Sequence, residues 1–328
     1  NLTAKSDVSL GHLTATGAVR LRGATVNGSL SFSGATLDNP QGYALNVDNL
    51  TAKSSVSLGH LTATGAVSFG GSTIKGQLRL DGATLDAGNF GRTALNLYQS
   101  TVEGGVWMQT APISADDHRP FSATGDVLLA EATLGTIRAD GATFTNSKGP
   151  ALNGDGMTVE GECDFDNITA TGAVSFGGST IKGQLRLNGA TLDAGNSGRT
   201  ALNLYQSTVE GGVWMQTAPI SADDHRPFSA TGDVLLAEAT LGTIRADGAT
   251  FTNSKGPALN GDGMTVEGEC DFDNITATGA VSLQRATVNG SLSFSGATFT
   301  NSKGSALNVD NLTAKSDVSL GHLTATGA

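Results

Sequence analysis

Apolar residues recur along this chain two apart, in pairs separated by three. From Val19 the inward candidates run Val19, Leu21, Ala24, Val26 and then Leu30, Phe32, Ala35, Leu37, the same pattern eleven residues on. Positions two apart share one face of a strand. The step of three leaves room for a bend, and Gly23, Gly34, Asn49, Gly82, Gly141, Gly156 and Asn167 stand there. Those residue types tolerate the dihedrals a corner demands. Each eleven therefore predicts two short strands and two bends, without helix.

The elevens begin at Val19, Leu30, Leu45, Val56, Val67, Leu78, Leu95, Val106, Val127, Ile137, Leu152 and Cys163. Extra residues appear only at every second junction, as between Leu30 and Leu45 or Val106 and Val127. Two elevens per coil explain that alternation. The prediction is a single continuous parallel β-solenoid over residues 1–328, right-handed and four-sided, with about 13 coils of about 22 residues. Its insertions, around Asn39, Asn89 and Asp117, would leave from one edge. Val19, Leu45, Val67, Leu95 and Val127 should stack inside, with Thr25, Thr51, Thr73, Thr101 and Thr133 facing out. A second threonine column runs through Thr14, Thr36, Thr62 and Thr84, interrupted only by Pro112 and Pro219. Stacked threonine suits a parallel ladder because its branched carbon favours extended backbone.

Longer repeats lie above the coils. A glycine in Thr-Ala-Thr-Gly or a close variant returns as Gly17, Gly65, Gly125, Gly172, Gly232, Gly279 and Gly327. Residues 62–175 recur as 169–282, with Asp81 becoming Asn188 and Phe90 becoming Ser197, and residues 1–18 are identical to 311–328. Both ends are clean repeat units without atypical capping coils, which predicts continuation into further repeats or head-to-tail stacking on another copy.

Composition supports a thin core. The chain has 45 Gly, 7 Pro and 5% aromatics, too few large side chains for a compact domain of this length. A net charge of −11 disfavours nucleic acid and anionic membranes as partners. No apolar run approaches the roughly 18 residues of a transmembrane segment, and no signal peptide is visible. Cys163 and Cys270 occupy one repeat position seen twice, too far apart to pair, and read as small buried hydrophobes.

The segments TATGAV (62–67), GATLDNPQGYALN (34–46) and GATFTNSKGPALNGDG (141–156) resemble long bacterial, especially actinobacterial, β-solenoid repeat proteins often labelled membrane-associated oxidoreductases. A looser likeness links the chain to pentapeptide-repeat solenoids and, through GQLRLDG (76–82), to the polymer-forming bactofilins. The resemblance implies a structural solenoid. The chain shows no dinucleotide fingerprint, haem motif or metal cluster, so neither cofactor nor metal is expected.

The most chemically loaded stretch is the insertion carrying Asp116, Asp117 and His118, with its copy Asp223, Asp224 and His225. Two carboxylates beside an imidazole can hold a metal ion. The plainer reading is a solvated loop in which Phe121 covers the coil and Arg119 pairs with an acid. Trp107 and Trp214 occupy outward positions, where an exposed indole serves as a sugar platform or an interface anchor. His12, His60 and His322 fall at corners. Ice binding needs two parallel threonine columns on one face, and the pairs Thr14/Thr16, Thr62/Thr64, Thr169/Thr171, Thr276/Thr278 and Thr324/Thr326 recur only about every second coil. Acids and bases do not cluster on any one face, which argues against an enzyme. The sequence points to a structural solenoid, a segment of a long surface protein or extracellular filament assembling end to end. The alternative is an adhesin or glycan-binding module that uses the insertion edge.

Overall fold

The computed structural model describes residues 2–88, 93–114, 117–195, 200–219 and 224–327. The chain is all-β, a β-solenoid of about 12 turns of parallel coils, roughly 26 residues apart on average. No helix occurs among the described residues. Contacts divide it into two compact units, Asn1–Gly161 and Glu162–Ala328.

In the first unit each coil has four sides. Thr3–Ala4, Thr25–Val26, Thr51–Ala52, Thr73–Ile74, Thr101–Val102, Thr133–Leu134 and Thr158–Val159 form the first side, paired in parallel with threonine on threonine. The second side runs from Val8–Ser9 through Leu30–Ser31, Val56–Ser57, Leu78–Arg79 and Val106–Trp107 to Ile137–Arg138. The third and fourth sides merge into one sheet. Thr62–Ser68, for example, pairs through residues 62–64 with Thr84–Asp86 and through residues 67 and 68 with Thr93–Asn96. Partners without an intervening insertion, such as Thr51 and Thr73, lie 22 residues apart.

The second unit repeats the plan. Its first side runs from Thr180–Ile181 to Thr313–Ala314 and its second from Cys163–Asp164 to Val318–Ser319. Cys163 and Cys270 are buried opposite Leu185 and Leu292. Desolvation there pushes both thiols far above their usual range, so they are unreactive fillers.

Alternation of two explains the interior. Val26, Leu30, Phe32, Ala35 and Leu37 are fully buried, while Thr25, Ser31 and Thr36 between them are not. Leu45, Val67, Leu95 and Val127 stack as one buried column in register, with Val19 half-buried at its end. Each such side chain contributes about 1.5–3 kcal/mol. Phenylalanines fill the wider levels: Phe121 packs on Phe144 with centroids 5.8 Å apart, and Phe272 stacks on Phe294 at 5.3 Å.

Corners carry the backbone strain. Gly23, Gly34, Gly82, Gly141 and Gly156 have φ of 61–69°, and Asn49 and Asn167 have 58°, as their residue types predict. His12, His60, Gln99, Glu131, Arg285 and His322 take the same left-handed corner at 53–58°, where a side chain costs roughly 1–2 kcal/mol. Replacing exposed Arg285 with glycine keeps the hydrogen bond from its backbone N–H to Asp310 O (2.9 Å). Relief of strain outweighs the added freedom of the unfolded chain, so Arg285→Gly is expected to gain about 0.5 kcal/mol in urea denaturation.

The insertions take two forms. At the corner between the third and fourth sides, tight glycine turns alternate with short arms. Gly17, Gly65 and Gly125 turn tightly, with φ of 108–120°. The intervening coils carry arms at 39–43, about Asp86, and at 146–150. In four of the described arms, at Asn39, Asn146, Asn253 and Asn301, the Asn Nδ2 donates to the carbonyl four residues on, at 2.7–2.8 Å. An arm lies on the neighbouring glycine corner. A Cβ on Gly65 would stand 2.3 Å from Asn39 O and 2.7 Å from Gly42 O. The tip of the insertion around Asn89 lies outside the described residues.

The second form is a hairpin, Ala111–Pro112 against His118–Arg119. It leaves the corner between the second and third sides, because Val106–Trp107 precedes it and Ser122–Thr124 follows on the third side. The insertions thus flank the third side at two adjacent corners rather than one. Ser122, not Pro112, fills the threonine column between Thr84 and Thr143, and Ser229 does the same in place of Pro219.

Candidate functional site

The hairpin and the second side beside it gather most of the sequence-marked residues. Pairing of Ala111 with Arg119 and Pro112 with His118 closes the hairpin. The N–H groups of Ile113 and Ser114 donate to Asp117 O at 2.7 and 3.1 Å. Asp117 and His118 are exposed, as are Asp224 and His225 in the copy. Asp116 and Asp223 lie outside the described residues. No group of three or more His, Cys, Asp or Glu able to hold a metal ion occurs among the described residues.

Arg119 pairs with no acid among the described residues. Its Nη2 donates to Leu61 O at 2.9 Å and Thr62 Oγ1 at 3.3 Å, and its Nε donates to Gly82 O. Arg226 clamps the second hairpin likewise, through the carbonyls of Gly189, Asn167 and Ile168. Leu61 O and Ile168 O already accept from the N–H groups of Thr84 and Thr191, and a five-donor guanidinium adds a second bond there while also reaching the glycine-corner carbonyl. Phe121, at the hairpin's foot, is fully buried in the core rather than laid over the coil.

Trp107 is half-buried in the second side's outward column. Arg79 and Arg138, its register neighbours, place their guanidinium carbons 4.8 and 5.6 Å from the ring centroid. Trp214 stands between Arg186 and Arg245, the latter 5.8 Å away. These are cation–π stacks along the ladder. Arginines thus flank Trp107 on both register sides. The indole N–H groups of both tryptophans are buried without a hydrogen-bond partner among the described residues. Asp81 and Asp166 neutralise Arg79 and Arg186 in ion pairs.

The first hairpin overhangs the corner below it and makes a divided groove. One part, about 390 Å³, is lined by His12, Ser33, His60, Ile113 and Arg119, and the other, about 330 Å³, by Ser57, Arg79, Asp81 and Pro112. Sequence reasoning missed this groove because the two histidines and the hairpin lie far apart in the chain.

Two carboxyls were also missed. Asp126 and Asp233 follow the tight-corner glycines Gly125 and Gly232. Each has a buried Oδ1 without a partner among the described residues. Desolvation raises Asp126 to about 7, helped by the charge of Asp155, and Asp233 to about 6.

No family model matches the chain, and no curated protein matches it. The resemblance to oxidoreductase-labelled repeat proteins and to bactofilins therefore gains no support from relatives. Among solved structures, the chain is similar to HetL, a pentapeptide repeat protein involved in heterocyst differentiation regulation in the cyanobacterium Nostoc. Identity is 12% over 95% of this chain and 90% of that one, with a TM-score of 0.16, a superposition too poor to carry an argument. The chain's own geometry defines its class, a tandem-repeat β-solenoid with threonine-rich strands.

Proposed function

We propose that this solenoid is a structural, non-enzymatic element, a segment of a long surface protein or extracellular filament whose coils continue end to end. One observation carries the reading. Within each unit the coils are laid on one another in one parallel register, threonine on threonine along the first side, so one coil is a template for the next. A ladder of that kind pairs with a further coil of the same pattern, and a heterologous contact that does not close makes fibres. Val318 continues the second-side column of Leu292, where a charge would disturb that stacking.

Light scattering and electron microscopy on the isolated chain test this. End-to-end association that rises with concentration and weakens in Val318→Lys is expected. Soluble monomers with the last coil ordered, judged by hydrogen exchange, would overturn it.

A second reading, a glycan- or protein-binding module, rests on the hooded groove with His60, Arg79, Asp81 and the 57% exposed Ile113. A glycan array probed with wild type and His60→Ala separates the two. Binding lost with His60 favours the module, and no binding by the wild type removes it.

A further inference from the structure

The register brings together a surface that the sequence pattern alone understated. In the second unit the third side presents two outward positions per coil, and five consecutive coils fill both with hydroxyls. They are Ser229/Thr231, Thr250/Thr252, Thr276/Thr278, Thr298/Thr300 and Thr324/Thr326, paired rung to rung without a register shift between the two columns. The residues between them point inward, with Ala230, Phe251, Ala277 and Phe299 fully buried. Thr250/Thr252 and Thr298/Thr300 come from Thr-Phe-Thr segments, so the columns run unbroken where the Thr-Ala-Thr pattern suggested gaps.

We propose that this double column is an ice-binding face. Its ligand is a crystalline water surface, which demands a rigid grid of groups rather than a pocket. Rungs repeat every ~4.8 Å along the stack and residues two apart in a strand lie ~6.7 Å apart. Those two repeats are close to the ones on the prism face of hexagonal ice. Threonine is stiff at χ1, so its hydroxyl and methyl are presented in fixed alternation with little ordering cost on binding. The methyls leave shallow apolar troughs in which first-shell water is held by neighbouring hydroxyls.

Strand propensity alone does not account for the pattern. On the first side of the same unit one column is also threonine, and propensity explains it. There the residue two further on is Glu267 after Thr265, Asn289 after Thr287 and Lys315 after Thr313. On the third side both positions are hydroxyl-bearing for five coils, and none of the ten residues is charged in a chain of net charge −11. Thr276, Thr278, Thr298, Thr300, Thr324 and Thr326 are exposed, so the face is open where it is most regular. In the first unit the same columns are broken by Asp38 and Asp86, which places the best grid in the second.

The test follows fluorescently labelled full chain during slow growth of an ice ball, together with recrystallisation in a frozen sucrose film. Wild type is expected to concentrate several-fold in the ice and to hold crystals small at micromolar concentration. The double substitution Thr278→Lys with Thr300→Lys should abolish both effects with an unchanged melting curve. The matched pair Thr265→Lys with Thr287→Lys on the first side should leave both intact. Wild type that stays in the liquid fraction overturns the proposal without recourse to any variant. So does equal loss of activity in the two double variants, or full activity in the third-side one.

Discussion

Alanine at Gly65 is expected to cost roughly 3–4 kcal/mol. Two effects combine. The backbone there has φ of 109°, beyond the ordinary left-handed well, a strain of about 1–3 kcal/mol for a residue with a Cβ. The new methyl would also stand 2.3 Å from Asn39 O. That oxygen belongs to the backbone of an arm already pinched by the bond from Asn39 Nδ2 to Tyr43 O (2.8 Å), so it cannot simply swing aside. The arm must lift and break the pairing of Ala66 with Tyr43, with overpacking adding about 1–3 kcal/mol. Gly178→Ala is the control. It also has positive φ, 65°, but nothing lies within 4 Å of the added carbon, so about 1 kcal/mol is expected. Urea denaturation measures both, and limited proteolysis at residues 39–43 reports whether the arm has opened. Equal losses would mean that the arm does not rest on the corner.

The second large effect concerns pH. Asp126 and Asp233 have folded pKa values of about 7 and about 6, against about 3.9 for an unfolded aspartate. Raised acids hold their proton more tightly in the folded state. Below pH 4 both states are protonated and the contribution is complete. Between about pH 4 and pH 6–7 the unfolded chain has released protons that the folded chain still binds, so stability falls as pH rises. Above pH 7 the loss is complete. Asp126→Asn with Asp233→Asn keeps the shape and removes the titration. The variant is expected to be more stable than wild type at pH 8 by about 2 kcal/mol or more, and close to it at pH 4. Thermal melts at the two pH values check this. A difference independent of pH would show that the carboxyls are not desolvated.

Much of the architecture was legible because it rests on backbone requirements that leave marks in sequence. Period two names the inward column, and left-handed corners select Gly and Asn. The restriction of insertions to alternate junctions gives a coil of two elevens. The placement of the hairpin was misjudged because a gap between Val106 and Val127 gives only a total length. The signal was nevertheless present. Ser122, Ala123, Thr124 and Gly125 repeat the tight-corner motif, which fixes the third side and forces the extra residues ahead of it. The Arg79–Trp107–Arg138 stack was readable from the same register. Arg119's carbonyl partners were not, since a backbone acceptor carries no residue identity. The buried state of Asp126 was likewise hidden, because alanine fills the same place in other coils, as Ala66 does.

The alternation of tight corner and arm has a consequence for how such a chain can grow or shrink. An arm sits on the glycine corner of its neighbour, so coils come in complementary couples, and the ladder has a parity. Removing one coil would set an arm against an arm, or leave two tight corners adjoining with no cover. Removing two keeps each arm facing a glycine corner. The near-identical blocks in the sequence obey that rule. The copy of residues 62–175 at 169–282 is offset by four coils, from Val67 to Val174, and the identical stretches at 1–18 and 311–328 are offset by twelve. Both offsets are even. Recombination within such an array therefore keeps the match of arm to corner in steps of two coils and breaks it in steps of one, which makes the couple, rather than the coil, the unit of engineering.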